Sequence, residues 1–328
     1  MNDNTKVLNL IGAVTDALDV AMERNKDIII YGEDCGYEGG VFRATATLQQ
    51  KYGEERVLDS PICEAAIVGI AGGLAIAGKR PIVEIQFDGF TYPAFQQIFC
   101  QISRYRNRSR SRWSMSVVVR IPMGGGIRAL EHHSEALEGV YAAHPAITVV
   151  YPSNPYDAKG LLLAAAESKD PVLYLEPKKL YRAFKAPVPA GYYTVEIGKA
   201  NVIKEGKDIT FISYGSTLHE GIAAVKELNG AIDVEIIDLR TITPLDWETV
   251  LASVRKTGKL IVAHEAVKSF SVSSEIITRA VEECFYDLKA TPVRLTGYDV
   301  IVPYARGEKY HTVTKDDILV ALKELAEL

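Results

Sequence analysis

The sequence predicts an α/β fold built from two doubly wound domains. Short apolar runs rich in Val and Ile alternate with segments of helical period along the whole chain. Helical stretches of about 10–15 residues stand between most of these runs, which is the mark of crossover connections and a parallel sheet. The alternation then pauses at a stretch bearing Pro and Gly near residue 190 and restarts.

In chain order, residues 9–24 place apolar side chains at helical spacing, and the run Asp-Ile-Ile-Ile-Tyr at 27–31 reads as a buried strand. A strand is expected at 56–60, a helix from Glu64 to Gly78, and further strands at 81–86, 116–120, 147–151 and 171–175. Lys-Ala-Pro-Val-Pro-Ala-Gly at 185–191 opens a linker that runs on to 207 with weak strand character. A second set follows at 209–213, 234–238, 260–264 and 292–296, closed by a helix at 315–327. The expected organisation is a first domain over 1–182, a linker over 183–207 and a second domain over 208–328.

With 328 residues, 48% hydrophobic content and a formal charge of −5, the chain can bury a large core. Those numbers give no reason to expect a nucleic-acid or membrane partner. Cys35, Cys63, Cys100 and Cys284 lie far apart with no CxxC pair, which fits a reducing, cytoplasmic setting. The opening MNDNTKVLNL has neither a basic region nor a long apolar core, so no secretory signal is expected. The stretch Arg104–Arg112 lies in an acidic chain between a helix and a buried strand. It reads as a subunit contact or an anion-contacting surface rather than an RNA-binding element.

The most apolar segment begins at Glu64; from Ala65 to Gly78 there is no polar side chain. It is too short to span a bilayer and rich in Gly and Ala, so a buried core helix is expected. A carboxylate at its head loses hydration, a setting frequent in active sites; the plainer alternative is a helix-terminal charge favoured by the macrodipole. In parallel sheets ligands bind beyond the carboxyl ends of strands. Gly32-Glu-Asp-Cys-Gly36, Glu64, Phe87-Asp-Gly-Phe90, and Gly124-Gly-Gly126 with Glu131-His-His-Ser-Glu135 all fall there. Of His132 and His133, one can face a pocket and exchange a proton near neutral pH; alternatively the two form a surface pair. No HExxH or HxH pattern supports a metal site. Gly124–Gly126 matches no phosphate-loop pattern and reads as a flexible loop. Phe90 and Tyr92 could stack on a planar ring or simply pack the core.

Together these segments resemble the beta subunit of the first component of the 2-oxo acid dehydrogenase complexes, over almost the whole chain. The motifs are GGVFRAT at 39–45, KYGEERVLDSPICEAAIVGIAGGLAIAG at 51–78, EIQFDGFTYPAF at 84–95, LEHHSE at 130–135, PSNPYDAKGLLLAA at 152–165, LEPKKLYR at 175–182 and EIIDLRTITPLD at 235–246. PMGGGIRALEHHSE and PYARGEKY are most similar to the bacterial pyruvate dehydrogenase group.

The resemblance implies a transketolase-like pyrimidine-binding domain followed by a transketolase C-terminal-like domain. It also implies oxidative decarboxylation of pyruvate with acetyl transfer to the lipoyl group of a dihydrolipoyl acyltransferase core. Glu64 matches the glutamate that hydrogen-bonds the aminopyrimidine ring nitrogen of thiamine diphosphate, Phe90 the aromatic packed on that ring, and Gln86 a residue lining the same pocket. His133 matches the histidine near the reacting centre and the incoming lipoyl group. Glu135 stands where the family usually has Gln, which leaves the partners of that histidine open. The family holds diphosphate and Mg²⁺ with a Gly-Asp-Gly segment on the alpha subunit, and no Gly-Asp-Gly occurs here. The chain is therefore expected to work only in an α2β2 heterotetramer. Related subunits also bind K⁺ through main-chain carbonyls, here near Val117, Val118, Ala165 and Asp170.

A branched-chain 2-oxo acid is the nearest alternative substrate. A non-catalytic scaffold would dispense with Glu64, Phe90 and His133. A self-sufficient transketolase-like enzyme would need the missing diphosphate motif.

Overall fold

The computed structural model describes residues 5–328; residues 1–4, where the segment read above for targeting begins, lie outside them. The first half contributes strands β1 (Thr5–Leu8), β2 (Ile28–Gly32), β3 (Val57–Asp59), β4 (Arg80–Glu84), β5 (Val118–Met123), β6 (Thr148–Val150), β7 (Val172–Pro177) and β8 (Ala186–Pro189). The second contributes β9 (Asn201–Lys204), β10 (Ile209–Ser213), β11 (Val234–Asp238), β12 (Thr241–Thr243), β13 (Leu260–Val267) and β14 (Val293–Gly297).

The larger sheet runs β12-β6-β7-β5-β4-β2-β3 and the smaller one β14-β13-β10-β11-β9. Pairing is parallel within each apart from the edge strands β12 and β9. Buried on both faces, the central strands of each sheet read as apolar runs rich in Val and Ile rather than alternating ones. β1 and β8 form a separate antiparallel pair, with Thr5 opposite Pro189. β12 was not expected from the sequence: it leaves the second half to pair with β6, Thr241 facing Val150.

On one face of the larger sheet, helices Leu10–Arg24 and Pro155–Glu167 pack Leu10, Val14, Leu161 and Leu162 against Ile30, Ile82 and Tyr174. The second of these helices starts where Asn154 accepts the Asp157 N–H and Pro155 takes the first helical position, so sequence dictates its boundary. On the other face lie the helix Glu64–Ile76 and the 3₁₀, π and α turns from Asp88 to Arg108. Their core, with Val68, Ile98, Val119 and Ile121, continues without a break into Ile212, Ile237 and Val262 of the smaller sheet. The α/β, doubly wound expectation holds, and the two sheets share one hydrophobic core.

One expectation is corrected. The helix Glu64–Ile76 buries Ile67, Val68, Ala71 and Gly72, but Ile70 is 55% and Ile76 45% exposed. The sheet covers only one side of a helix that is apolar all round, so in the single chain its other side faces outward. Glu64 at its head is half-exposed rather than enclosed.

Under the site edge, three buried charges join neighbouring strands. Arg120 on β5 donates to Glu176 on β7 at 2.6 and 2.9 Å and to Glu84 on β4 at 2.7 Å, and Tyr181 adds its hydroxyl to Glu176 at 2.6 Å. Burial pushes the Glu84 carboxyl upward while Arg120 opposes that shift. Arg120→Met strips two enclosed carboxylates of their counter-ion, so about 3–5 kcal/mol of stability is expected to be lost. The denaturant midpoint checks this; a loss below about 1 kcal/mol would place the triad with surface ion pairs in weight.

Candidate active site

The strands β2, β3, β4 and β5 are parallel, so the segments that follow them gather on one edge of the sheet. Glu64 opens its helix there, one residue after the exposed Cys63. Glu33 follows β2 and is buried, and its Oε1 has no hydrogen-bond partner. Burial first, then the negative charges of Glu64, Asp34 and Glu84, push its carboxyl up to about 7. The sequence reading had Glu33 only as part of a strand-end segment; its signal was an acid placed directly after a buried strand. Gln86 sits beside the same segment, its Nε2 3.4 Å from Asp34 Oδ2.

Phe87, Phe90 and the two histidines form one aromatic group. The His133 ring meets Phe87 at 4.5 Å and Phe90 at 5.1 Å between centroids, edge to face in both cases. Phe90 is half-exposed, so it does not simply fill the core. His133 is half-buried and its Nδ1 has no partner, whereas His132 is exposed and lies over Phe90 and Tyr92. The close approach needs Gly89, because a Cβ there would sit 2.3 Å from the His132 carbonyl oxygen. Glu135 lies beside His132, its Oε1 3.9 Å from the His132 Nδ1.

Asp88 was visible in sequence only as a member of the run ending in Phe90. It is buried, accepts the Leu137 N–H at 2.6 Å and accepts the Tyr141 hydroxyl, which also lies 2.7 Å from Thr91 Oγ1. Burial pushes Asp88 up to about 7 against the pull of those hydrogen bonds. Gly124–Gly126 is neither a phosphate cradle nor a free loop. Gly125 N–H donates to Glu265 at 2.8 Å and Gly126 N–H to Glu308, carboxylates of the second half.

The Transketolase, pyrimidine binding domain family model matches residues 6–183, and the Transketolase, C-terminal domain model matches residues 198–318. The chain is 54% identical over 321 residues to the pyruvate dehydrogenase E1 component subunit beta of Mycoplasma genitalium, covering 97% of this chain and 98% of that one. It is 42% identical over 321 residues to the subunit of the same name from Bacillus subtilis, covering 98% and 99%. The chain belongs to the pyruvate dehydrogenase E1 beta subunit family.

A solved structure titled split gene transketolase, inactive beta4 tetramer, overlays 98% of this E1 beta chain and 99% of its own with a TM-score of 0.78 at 22% identity. The E1 beta fold is thus transketolase-like in both halves.

Of the segments expected near K⁺ in this E1 beta chain, residues 115–118 meet residues 169–172, while Ala165 bonds within its own turn. Met115 N–H donates to the Lys169 carbonyl at 2.9 Å and Val172 N–H to Val117 at 2.9 Å, while Val118 lies opposite Val172. The carbonyls of Ala165 and Asp170 accept from the Ser168 N–H and hydroxyl at 3.0 and 2.8 Å. The Asp170 side chain itself is taken by Arg106, from the arginine-rich stretch. Among the described residues no group of three or more His, Cys, Asp or Glu could hold a metal ion, and no helix is long and apolar enough to cross a membrane.

Proposed function

We propose that this chain is the beta half of a pyruvate dehydrogenase (acetyl-transferring), which decarboxylates pyruvate oxidatively and passes the acetyl group to the lipoyl group of a dihydrolipoyl acyltransferase core. The observation that carries the reading is the grouping of His133 with the half-exposed ring of Phe90, on the sheet edge that Glu64 also borders, in a chain 54% identical to an E1 beta subunit. When bound, thiamine diphosphate supplies the carbon that takes up the substrate carbonyl.

The chain's residues would then bind, orient and move protons. Glu64 would hold a proton at the aminopyrimidine ring nitrogen, and Glu33, on the same sheet edge and pushed up to about 7, can exchange a proton near neutral pH. Phe90 packs on the aminopyrimidine face and Gln86 lines the same side. His133, one ring nitrogen of which is unclaimed by the chain, serves the reacting centre and the incoming lipoyl group as proton donor and acceptor.

Diphosphate and Mg²⁺ are left to an alpha subunit, since no Gly-Asp-Gly segment is present. The outward apolar side of the helix Glu64–Ile76, with Ile62 83% exposed just before it, fits a partner chain that completes the site in an α2β2 assembly. The free cysteines suit a cytoplasmic setting. A K⁺ ion between residues 115–118 and 165–170 would brace the larger sheet.

Reconstitution with the alpha subunit tests this reading. The expected kcat/KM favours pyruvate over 3-methyl-2-oxobutanoate by about tenfold or more. A preference for the branched substrate would move the chain to the sister enzyme, and no turnover with either would support a scaffold. The same preparation is expected to melt at higher temperature in potassium than in sodium buffer; equal melting would remove the K⁺ site.

A further inference from the structure

The loop Gly124–Leu137 carries His133 and is tied at both ends. Gly124 N–H donates to the Glu135 carbonyl at 2.9 Å, which closes the loop on itself, and Asp88 holds the Leu137 N–H. At the glycine end the ties come from the other half of the chain: Glu265 on β13 holds Gly125, and Glu308 on the short helix Glu308–His311 holds Gly126. The second oxygen of Glu265 accepts the Ser216 hydroxyl at 3.0 Å.

The carboxylates approach so closely that a side chain at either of two glycines would press on them. Gly124 has φ +78°, and a Cβ there would lie 2.6 Å from Glu265 Oε2; one at Gly125 would lie 3.0 Å from Glu308 Oε1. Glu308 is buried and Glu265 half-exposed, so holding both here costs free energy unless they are stabilised. The loop amides offset part of this, and the positive charge of Lys178 bears on both. Its side chain is 3% exposed, its ammonium has no hydrogen-bond partner, and the carboxylates that bear on it are Glu265, Asp88 and Glu308. Burial pulls its ammonium down to about 8 against their attraction. A buried cation thus lies in the field of the carboxylates that hold the two ends of the His133 loop, without a direct hydrogen bond to any of them among the described residues.

We propose that Glu265 and Glu308 are positioning residues: they fix the glycine turn of the His133 loop, so the second half of the chain sets the geometry of a site built on the first. This rests on the role proposed for His133, and the test carries one readout that does not. Arg128 is exposed at the tip of the loop, so trypsin cleavage after it reports how often the loop opens. In the full chain, Glu265→Ala with Glu308→Ala is expected to speed that cleavage by about tenfold or more.

In the reconstituted enzyme the same pair is expected to lower kcat by about 10²-fold with little change in KM. It should cause no further loss once His133→Ala is present, because both changes remove the same contribution. Glu265→Gln with Glu308→Gln keeps an acceptor oxygen for each glycine amide and should restore cleavage and kcat to within about threefold of the parent. If the alanine pair does not fold, Gly125→Ala takes its place, since the added methyl would stand 3.0 Å from Glu308 Oε1 and press that carboxylate away from the turn. Cleavage at the parental rate, full additivity with His133→Ala, or a Gln pair as impaired as the Ala pair would overturn the proposal. Faster cleavage in an enzyme whose parent turns over no 2-oxo acid would count against the proposed reaction while upholding the clamp.

Discussion

Glu64→Gln lowers turnover of the reconstituted enzyme by about 10²–10⁴-fold and leaves assembly and thiamine diphosphate binding in place. The amide has the size and hydrogen-bonding reach of the carboxylate but cannot carry the proton. Glu64 is half-exposed at the start of its helix and contributes no buried packing, so folding should be indifferent to the change. The effect is therefore expected in kcat, with thermal stability within about 0.5 kcal/mol, as for surface substitutions generally. Steady-state assays beside a calorimetric titration of the cofactor check it. Near-normal turnover would remove Glu64 from the proton path.

His133→Ala separates the two halves of the reaction. The ring packs edge-on against Phe87 and Phe90, and its Nδ1 has no partner among the described residues. Acetyl transfer to the lipoyl group is expected to fall by about 10²–10⁴-fold. Decarboxylation read with an artificial electron acceptor should fall much less, because it does not require the lipoyl group to be met. His132→Ala is the control: that ring is exposed and sits beside Glu135 and Tyr92, so both rates should stay close to the parent's. Equal losses for the two histidines would deny His133 a separate role.

Much of the fold was legible because its strands are buried on both faces. Ile28–Gly32, Val118–Met123, Ile209–Ser213 and Val234–Asp238 betray themselves as apolar runs between helices. The helix from Pro155 announced its start through Asn154 and Pro155. What stayed hidden depends on distant pairing. Thr241–Thr243 is too short to show a pattern, and its place beside β6 follows from a contact some 90 residues away, Thr241 with Val150. Thr5–Leu8 and Ala186–Pro189 are likewise a strand pair only because each has the other.

The site divides in the same way. Glu64, Phe90, Gln86 and His133 could be named from motifs, and the rule for strand ends placed them on one edge. Asp88, Glu308 and Lys178 could not be singled out, because burial beside other charges gives them their weight, and Glu265 matters only through a contact some 140 residues away, with Gly125. The helix after Glu64 misled for a related reason: composition shows that it is apolar, not which surface covers it.

The central claim is that this chain holds one half of an active site. Thiamine diphosphate titrated into the isolated full-length chain with Mg²⁺, and then into the chain mixed with its alpha partner, tests it most directly. Tight, Mg²⁺-dependent binding and turnover of pyruvate are expected only in the mixture. Tight Mg²⁺-dependent binding and turnover by the isolated chain would contradict it.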